Sequence, residues 1–168
     1  MAVSLLSHSL LVALSLLFTH SALAETISGR VVGIADGDTI TVLDSTKTQH
    51  KIRLSGIDAP EKAQPFGQAS KKHLSDLVFN KDVTLNCGKT DRYKRKVCVV
   101  MINGKDVNQA QVAVGMAWWY RQYQKEQTAQ QRADYEAAEA KARSGKVGLW
   151  SEANPVAPWE WRHKIRGN

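Results

Sequence analysis

Residues 36–61 read DGDTITVLDSTKTQHKIRLSGIDAPE, with carboxylates at both ends and Arg53 between them. Carboxylates from two separate turns can converge on one cation, and a guanidinium beside them can grip a phosphate through its fork of N–H donors. Carboxylate and carbonyl oxygens are hard ligands that suit calcium or magnesium. Zinc prefers histidine and thiolate sets, and this chain spaces none suitably. Calcium fits best, so the stretch reads as a metal and phosphate site with Asp38 and Asp58 as its acids. Taken singly, Asp36 and Asp38 also fit ordinary turn formers, and Arg53 an exposed strand residue.

The surrounding pattern must bring these groups together. The β-branched run 27–34 precedes Asp36-Gly37-Asp38, and Thr39-Ile40-Thr41-Val42-Leu43 then alternates as a half-buried strand does. A third period-2 run is stopped by Pro60, which cannot continue a ladder. Strands are therefore expected near 26–35, 38–44 and 49–57. After Pro65, the residues Phe66, Ala69, Leu74, Leu77 and Val78 recur at helical spacing, and His73 near that apolar face reads as a packed structural residue. Residues 83–85 and 97–101 make a hairpin whose tip, Asp91-Arg92-Tyr93-Lys94-Arg95-Lys96, is strongly basic; alone, that tip also fits a solvated charged turn. Asp106 can cap a short helix that Gly115 ends, and Thr128 with Gln131 forms a capping box for an alanine-rich helix that Gly145 stops. Five strands, with helices inserted after the third and the fifth, are compatible with a mainly β (β+α) fold, a five-stranded Greek-key barrel of the OB type.

The chain has 168 residues and a formal net charge of +7. Its apolar segment 10–18, followed by Ala22-Leu23-Ala24, predicts a signal peptide over 1–24, although no Lys or Arg precedes the apolar core. That segment is too short for a comfortable membrane span, so no membrane contact is expected once it is removed. Residues 25–152 then form one domain and 153–168 a basic tail, in which Trp159 and Trp161 receive no role. A basic exported chain, periplasmic or secreted, favours polyanionic partners. Its two cysteines, Cys87 and Cys98, bracket residues 88–97, one on each expected strand of the hairpin. A disulfide and a pair of buried thiols both remain open there.

Five motifs resemble the staphylococcal nuclease family in that family's order. They are Asp36-Gly37-Asp38-Thr39, Arg53-Leu54 with Asp58-Ala59-Pro60-Glu61, Asp91-Arg92-Tyr93-Lys94-Arg95, Val107-Asn108 with Gly115, and Gly148-Leu149-Trp150. The resemblance implies an OB barrel with three helices and a monomeric, calcium-dependent endonuclease that hydrolyses DNA and RNA, favouring single strands and leaving 3′-phosphate ends. It implies Asp38, Asp58 and the Ala59 carbonyl as calcium ligands, Arg53 and Arg95 as phosphate-binding groups, and Glu61 as the residue orienting or deprotonating water. Tyr120 or Tyr123 would stack on a base, while Trp118 and Trp119 fit packing against the barrel equally well. Lys94 stands where the family commonly has glycine. A catalytically silent OB module that only binds nucleic acid is the alternative, and an oligosaccharide-binding barrel a third reading that would not need the charge or the two arginines.

Overall fold

The structure is a computed structural model and describes residues 25–167. The expected signal peptide, 1–24, lies outside the described residues. The elements in chain order are β1 (Glu25–Ile34), β2 (Thr39–Asp44), β3 (Gln49–Leu54), β4 (Ile57–Asp58), α1 (Gly67–Val78), β5 (Asp82–Thr90), β6 (Lys96–Ile102), β7 (Lys105–Asp106), α2 (Val107–Ala113), β8 (Trp118–Trp119), α3 (Ala129–Ser144) and α4 (Pro158–Arg166). Short 3-10 turns at Arg121–Glu126 and Gly148–Ser151 flank α3. Among the described residues no helix is long and apolar enough to cross a membrane.

Alternation along the strands places Val31, Ile40, Val42, Ile52, Leu54, Leu85 and Val100 inside, each almost fully buried. Five long strands run in the order β3-β2-β1-β5-β6, and a parallel pairing of β3 with β6 closes them into a barrel. Closure removes the open sheet edges, and it sets Arg53 opposite Val97 at the barrel rim. Where β3 and β6 separate, buried Asn108 fills the gap. Its Nδ2 donates to the Ser55 and Cys98 carbonyls at 3.0 and 3.1 Å, and its Oδ1 accepts the Val100 N–H at 3.1 Å. Every side-chain hydrogen-bonding atom of that amide is directed at backbone that would otherwise be orphaned in the core.

The helix signals are realised as capping chemistry. Asp106 accepts the Gln109 N–H at 3.0 Å, the Thr128 and Gln131 pair forms a reciprocal box, and Gly145 is the C-cap of α3. Gly115 (φ +65) and Gly148 (φ +59) meet backbone to backbone: a Cβ on Gly148 would fall 2.4 Å from the Gly115 carbonyl oxygen. That contact ties the end of α2 to the turn after α3.

Two expectations need correction. The third strand does not run unbroken over 49–57. It stops at Leu54, Gly56 turns in the left-handed region (φ +71), and Ile57–Asp58 leaves the barrel to pair antiparallel with Trp118–Trp119. The chain beyond 152 is not merely a basic tail: after the three expected helices α1, α2 and α3, a fourth, α4, starts at Pro158 in the first helical position and folds back onto the site.

Candidate active site

The β1–β2 turn aims Asp38. The Asp36 carboxylate accepts the Asp38 N–H at 3.1 Å, and Gly37 passes so close to α1 that a Cβ there would lie 1.9 Å from Ser70 Oγ. Gln111 on α2 fixes the same turn by donating to the Gly37 carbonyl at 2.7 Å, and its other end meets His73, which is thereby a structural residue. Asp38 is buried and accepts the Ala59 N–H at 2.7 Å. This bond spans 21 residues of sequence and joins the two acidic turns.

Asp58, on β4, is 1% exposed. Arg53 bridges the two acids: Nη1 lies 3.1 Å from Asp38 Oδ2 and Nη2 2.9 Å from Asp58 Oδ1, while Nη1 also donates to the Leu54 and Ile57 carbonyls. Burial above all, helped by the neighbouring charges of Asp36 and Asp58 and opposed by Arg53 and the Ala59 N–H, leaves the Asp38 carboxyl pushed up to about 7. Two buried carboxylates, hard in character and crowded by a third, are a donor set that a divalent cation would relieve, so the residues fit calcium or magnesium. Among the described residues no cluster of three or more metal-binding side chains is assembled, so backbone oxygen or water must complete such a site.

Arg95 is held by its own hairpin. The Asp91 carboxylate accepts the backbone N–H groups of Tyr93 and Arg95, each at 2.9 Å, and the Arg95 Nε at 2.8 Å. Burial opposes ionisation of Asp91, but these bonds outweigh it and hold the carboxyl below its ordinary range. Lys94 takes the left-handed conformation (φ +63) that glycine adopts without cost, and the turn forms regardless.

Asp36, Asp38, Arg53, Asp58, Ala59, Glu61, Arg95, Tyr120 and Tyr123 all line one cleft of about 650 Å³. The two tyrosines meet edge to face at 5.1 Å, with Lys89 Nζ 4.7 Å above the Tyr123 ring. Thus every residue singled out in the sequence for metal, phosphate, water or base contact reaches the same cleft. Behind it, Cys87 and Cys98 are a directly opposed strand pair joined by a disulfide, with Cα atoms 4.0 Å apart and a bulge immediately after Cys87.

Sequence reasoning missed three participants. Arg162 on α4 donates from Nη2 to Asp58 Oδ2 at 2.7 Å, and from Nη1 to Asp58 Oδ1 at 3.2 Å and Glu61 Oε1 at 2.8 Å. Trp159 stacks on Tyr120 with ring centroids 5.1 Å apart and planes 9° from parallel. Glu139, buried in α3, accepts the Trp119 N–H and so holds β8, the partner strand of Asp58. The signal for the first two was present: three-residue spacing after Pro158 puts Trp159 and Arg162 on one helical face.

Residues 51–152 match the family described as staphylococcal nuclease homologue. A Haemophilus influenzae protein described as an uncharacterized endonuclease is 42% identical over 161 residues, covering 95% of this chain and 87% of that protein. A Shigella flexneri protein described as micrococcal nuclease is 42% identical over 143 residues, covering 80% of this chain and 79% of the relative. An Escherichia coli protein described as an uncharacterized endonuclease is 43% identical over 149 residues, covering 88% and 93% respectively.

Proposed function

We propose, from the premise that this chain belongs to the staphylococcal nuclease family and is a nuclease, that it is a calcium-dependent endonuclease that hydrolyses DNA and RNA and leaves 3′-phosphate ends. The observation that carries this reading is the bridge from Arg53 to both Asp38 and Asp58, in a cleft that Arg95 also lines.

The roles follow from charge. Asp38, Asp58 and the Ala59 carbonyl would hold the cation, which supplies Lewis-acid polarisation of the phosphoryl group when bound. Arg53 and Arg95 present guanidinium forks to the non-bridging oxygens, where negative charge grows as water attacks phosphorus. Glu61 orients that water; a carboxylate beside cations is a weak base, so positioning outweighs proton abstraction. The new P–O bond forms as the P–O5′ bond breaks, so the phosphate stays on the 3′ side and the leaving 5′ oxygen takes up a proton. Tyr120 and Tyr123 offer ring faces to bases of a single strand, which paired bases cannot reach without unstacking. The disulfide and the leader-like first 24 residues support work outside the cytoplasm, and we take the monomer as the active form.

A silent binding module would not need two buried acids bridged by an arginine. Digestion of long single-stranded DNA and of RNA, in calcium and in excess chelator, tests the reading. The expected products appear only with calcium and cannot be extended by a polymerase until a phosphatase removes the 3′ block. Products extendable without phosphatase would overturn the assigned bond cleavage.

A further inference from the structure

We propose that Arg162 is a built-in stand-in for the divalent cation: its guanidinium and the metal are alternative occupants of Asp58, and α4 caps the cleft until metal and nucleic acid displace it. The inference rests on the metal reading above and adds a residue beyond the 51–152 region that carries the family match.

Asp58 has two oxygens, and both are engaged. Arg53 and Arg162 share Oδ1, while Oδ2 accepts Arg162 Nη2 at 2.7 Å. The same guanidinium reaches Glu61 at 2.8 Å. A cation bound directly to Asp58 needs those lone pairs, and its double charge would stand within a few ångströms of the fixed charge on Arg162. Both effects make the two occupants exclude each other. An arginine guanidinium keeps its charge throughout the working pH range, so Arg162 yields the site only by moving away.

The cap reaches a second subsite independently. One turn away on the same face, Trp159 lies flat on Tyr120 and covers a ring that a base would otherwise use. The segment entering α4 is pinned where Gln64 Nε2 donates to the Val156 carbonyl at 2.7 Å. Arg162 is itself about one-third exposed, so the contact is a removable cover rather than a piece of the core. Three acids (Asp38, Asp58, Glu61) face two guanidiniums (Arg53, Arg162). This near-balance keeps the acids close before metal arrives.

The experiment titrates calcium into the full chain by calorimetry, without nucleic acid, for the wild type, Arg162→Gln, Arg162→Lys and Asp58→Asn. Arg162→Gln should bind calcium tighter by about fivefold or more, the lower range of coupling between linked sites. Arg162→Lys, which keeps the charge without the fork, should fall between. Calcium should also change the tryptophan emission of the wild type, and Trp159→Phe should lose most of that change. Equal or weaker calcium binding by Arg162→Gln overturns the inference while leaving the metal reading intact. Failure of both the wild type and Arg162→Gln to bind calcium, or binding by Asp58→Asn as tight as the wild type's, overturns the metal reading and this inference with it.

Discussion

Glu139 accepts the backbone N–H of Trp119 at 3.1 Å through Oε1, while its Oε2 takes Arg121 Nη1 at 2.7 Å. A carboxylate 1% exposed in the middle of α3 thereby fixes a two-residue strand whose partner carries Asp58. Replacing it with alanine leaves a buried N–H unmade and a guanidinium without its acid. The expected cost is about 3 kcal/mol of stability, read as a lower urea midpoint. Turnover at temperatures well below the melt should also fall, because β4 loses its support.

The hairpin bearing Arg95 depends on its disulfide. Reduction of Cys87–Cys98 removes a short-loop cross-link and should lower stability by about 3 kcal/mol. Thermal melts with and without reductant measure it. Hydrogen exchange at 90–96 should quicken more than in β1 and β2, since the loosened element is the tip rather than the barrel.

Acid sensitivity should trace partly to the β2–β3 turn. Asp44 accepts the Thr46 hydroxyl at 2.6 Å, His50 Nε2 at 2.7 Å and the Thr48 N–H at 2.9 Å, and these bonds lower its pKa. A depressed folded pKa contributes stability that is complete above the unfolded value of about 3.9 and is lost as pH falls through the folded one. Asp44→Asn should therefore lower Tm at neutral pH, and the gap to the wild type should narrow as pH drops below about 4. A gap that is constant with pH would show that the turn owes nothing to the carboxylate charge.

The positioned arginines should behave differently from the general positive charge. Arg53→Lys and Arg95→Lys keep charge but lose the fork, so each should cost about 3 to 4 kcal/mol at the transition state, a fall of a hundredfold or more in turnover at saturating DNA. Lys71 and Lys72 lie on α1 away from the cleft lining, and Lys72 already pairs with Asp76 at 2.7 Å. Alanine at either should mainly raise KM and flatten the salt dependence. Near-normal turnover in both arginine variants would assign them to the diffuse field.

The barrel and its caps were legible because they follow from local chemistry: β-branched alternation, Asp106 and Thr128 as N-caps, and Gly145 as a C-cap. The acids and Arg53 were legible because a turn and a strand end fix them. Residues held by long-range contacts left weaker marks. The break after Leu54 needs Gly56 turned against Gln127, and no window around 49–57 contains that partner. Arg162 meets Asp58 across 104 residues, and the composition of 153–168 reads as a basic tail until α4 is seen lying on the cleft. Glu139 falls on α3 among alanines and charges, so its burial depends on Trp119, Arg121 and Arg143 arriving from outside the helix or a turn away.

The central claim is that Asp38 and Asp58 hold the cation on which cleavage depends, and the rate of cutting a long single-stranded DNA measures it most directly. The wild type should cut in calcium and stop in excess chelator. Asp38→Ala and Asp58→Ala, shown by circular dichroism to keep the barrel, should lose calcium-dependent cutting by at least about a hundredfold, since removing one ligand weakens the ion without emptying the core. Full activity in chelator, or full activity in both folded variants, would contradict the account.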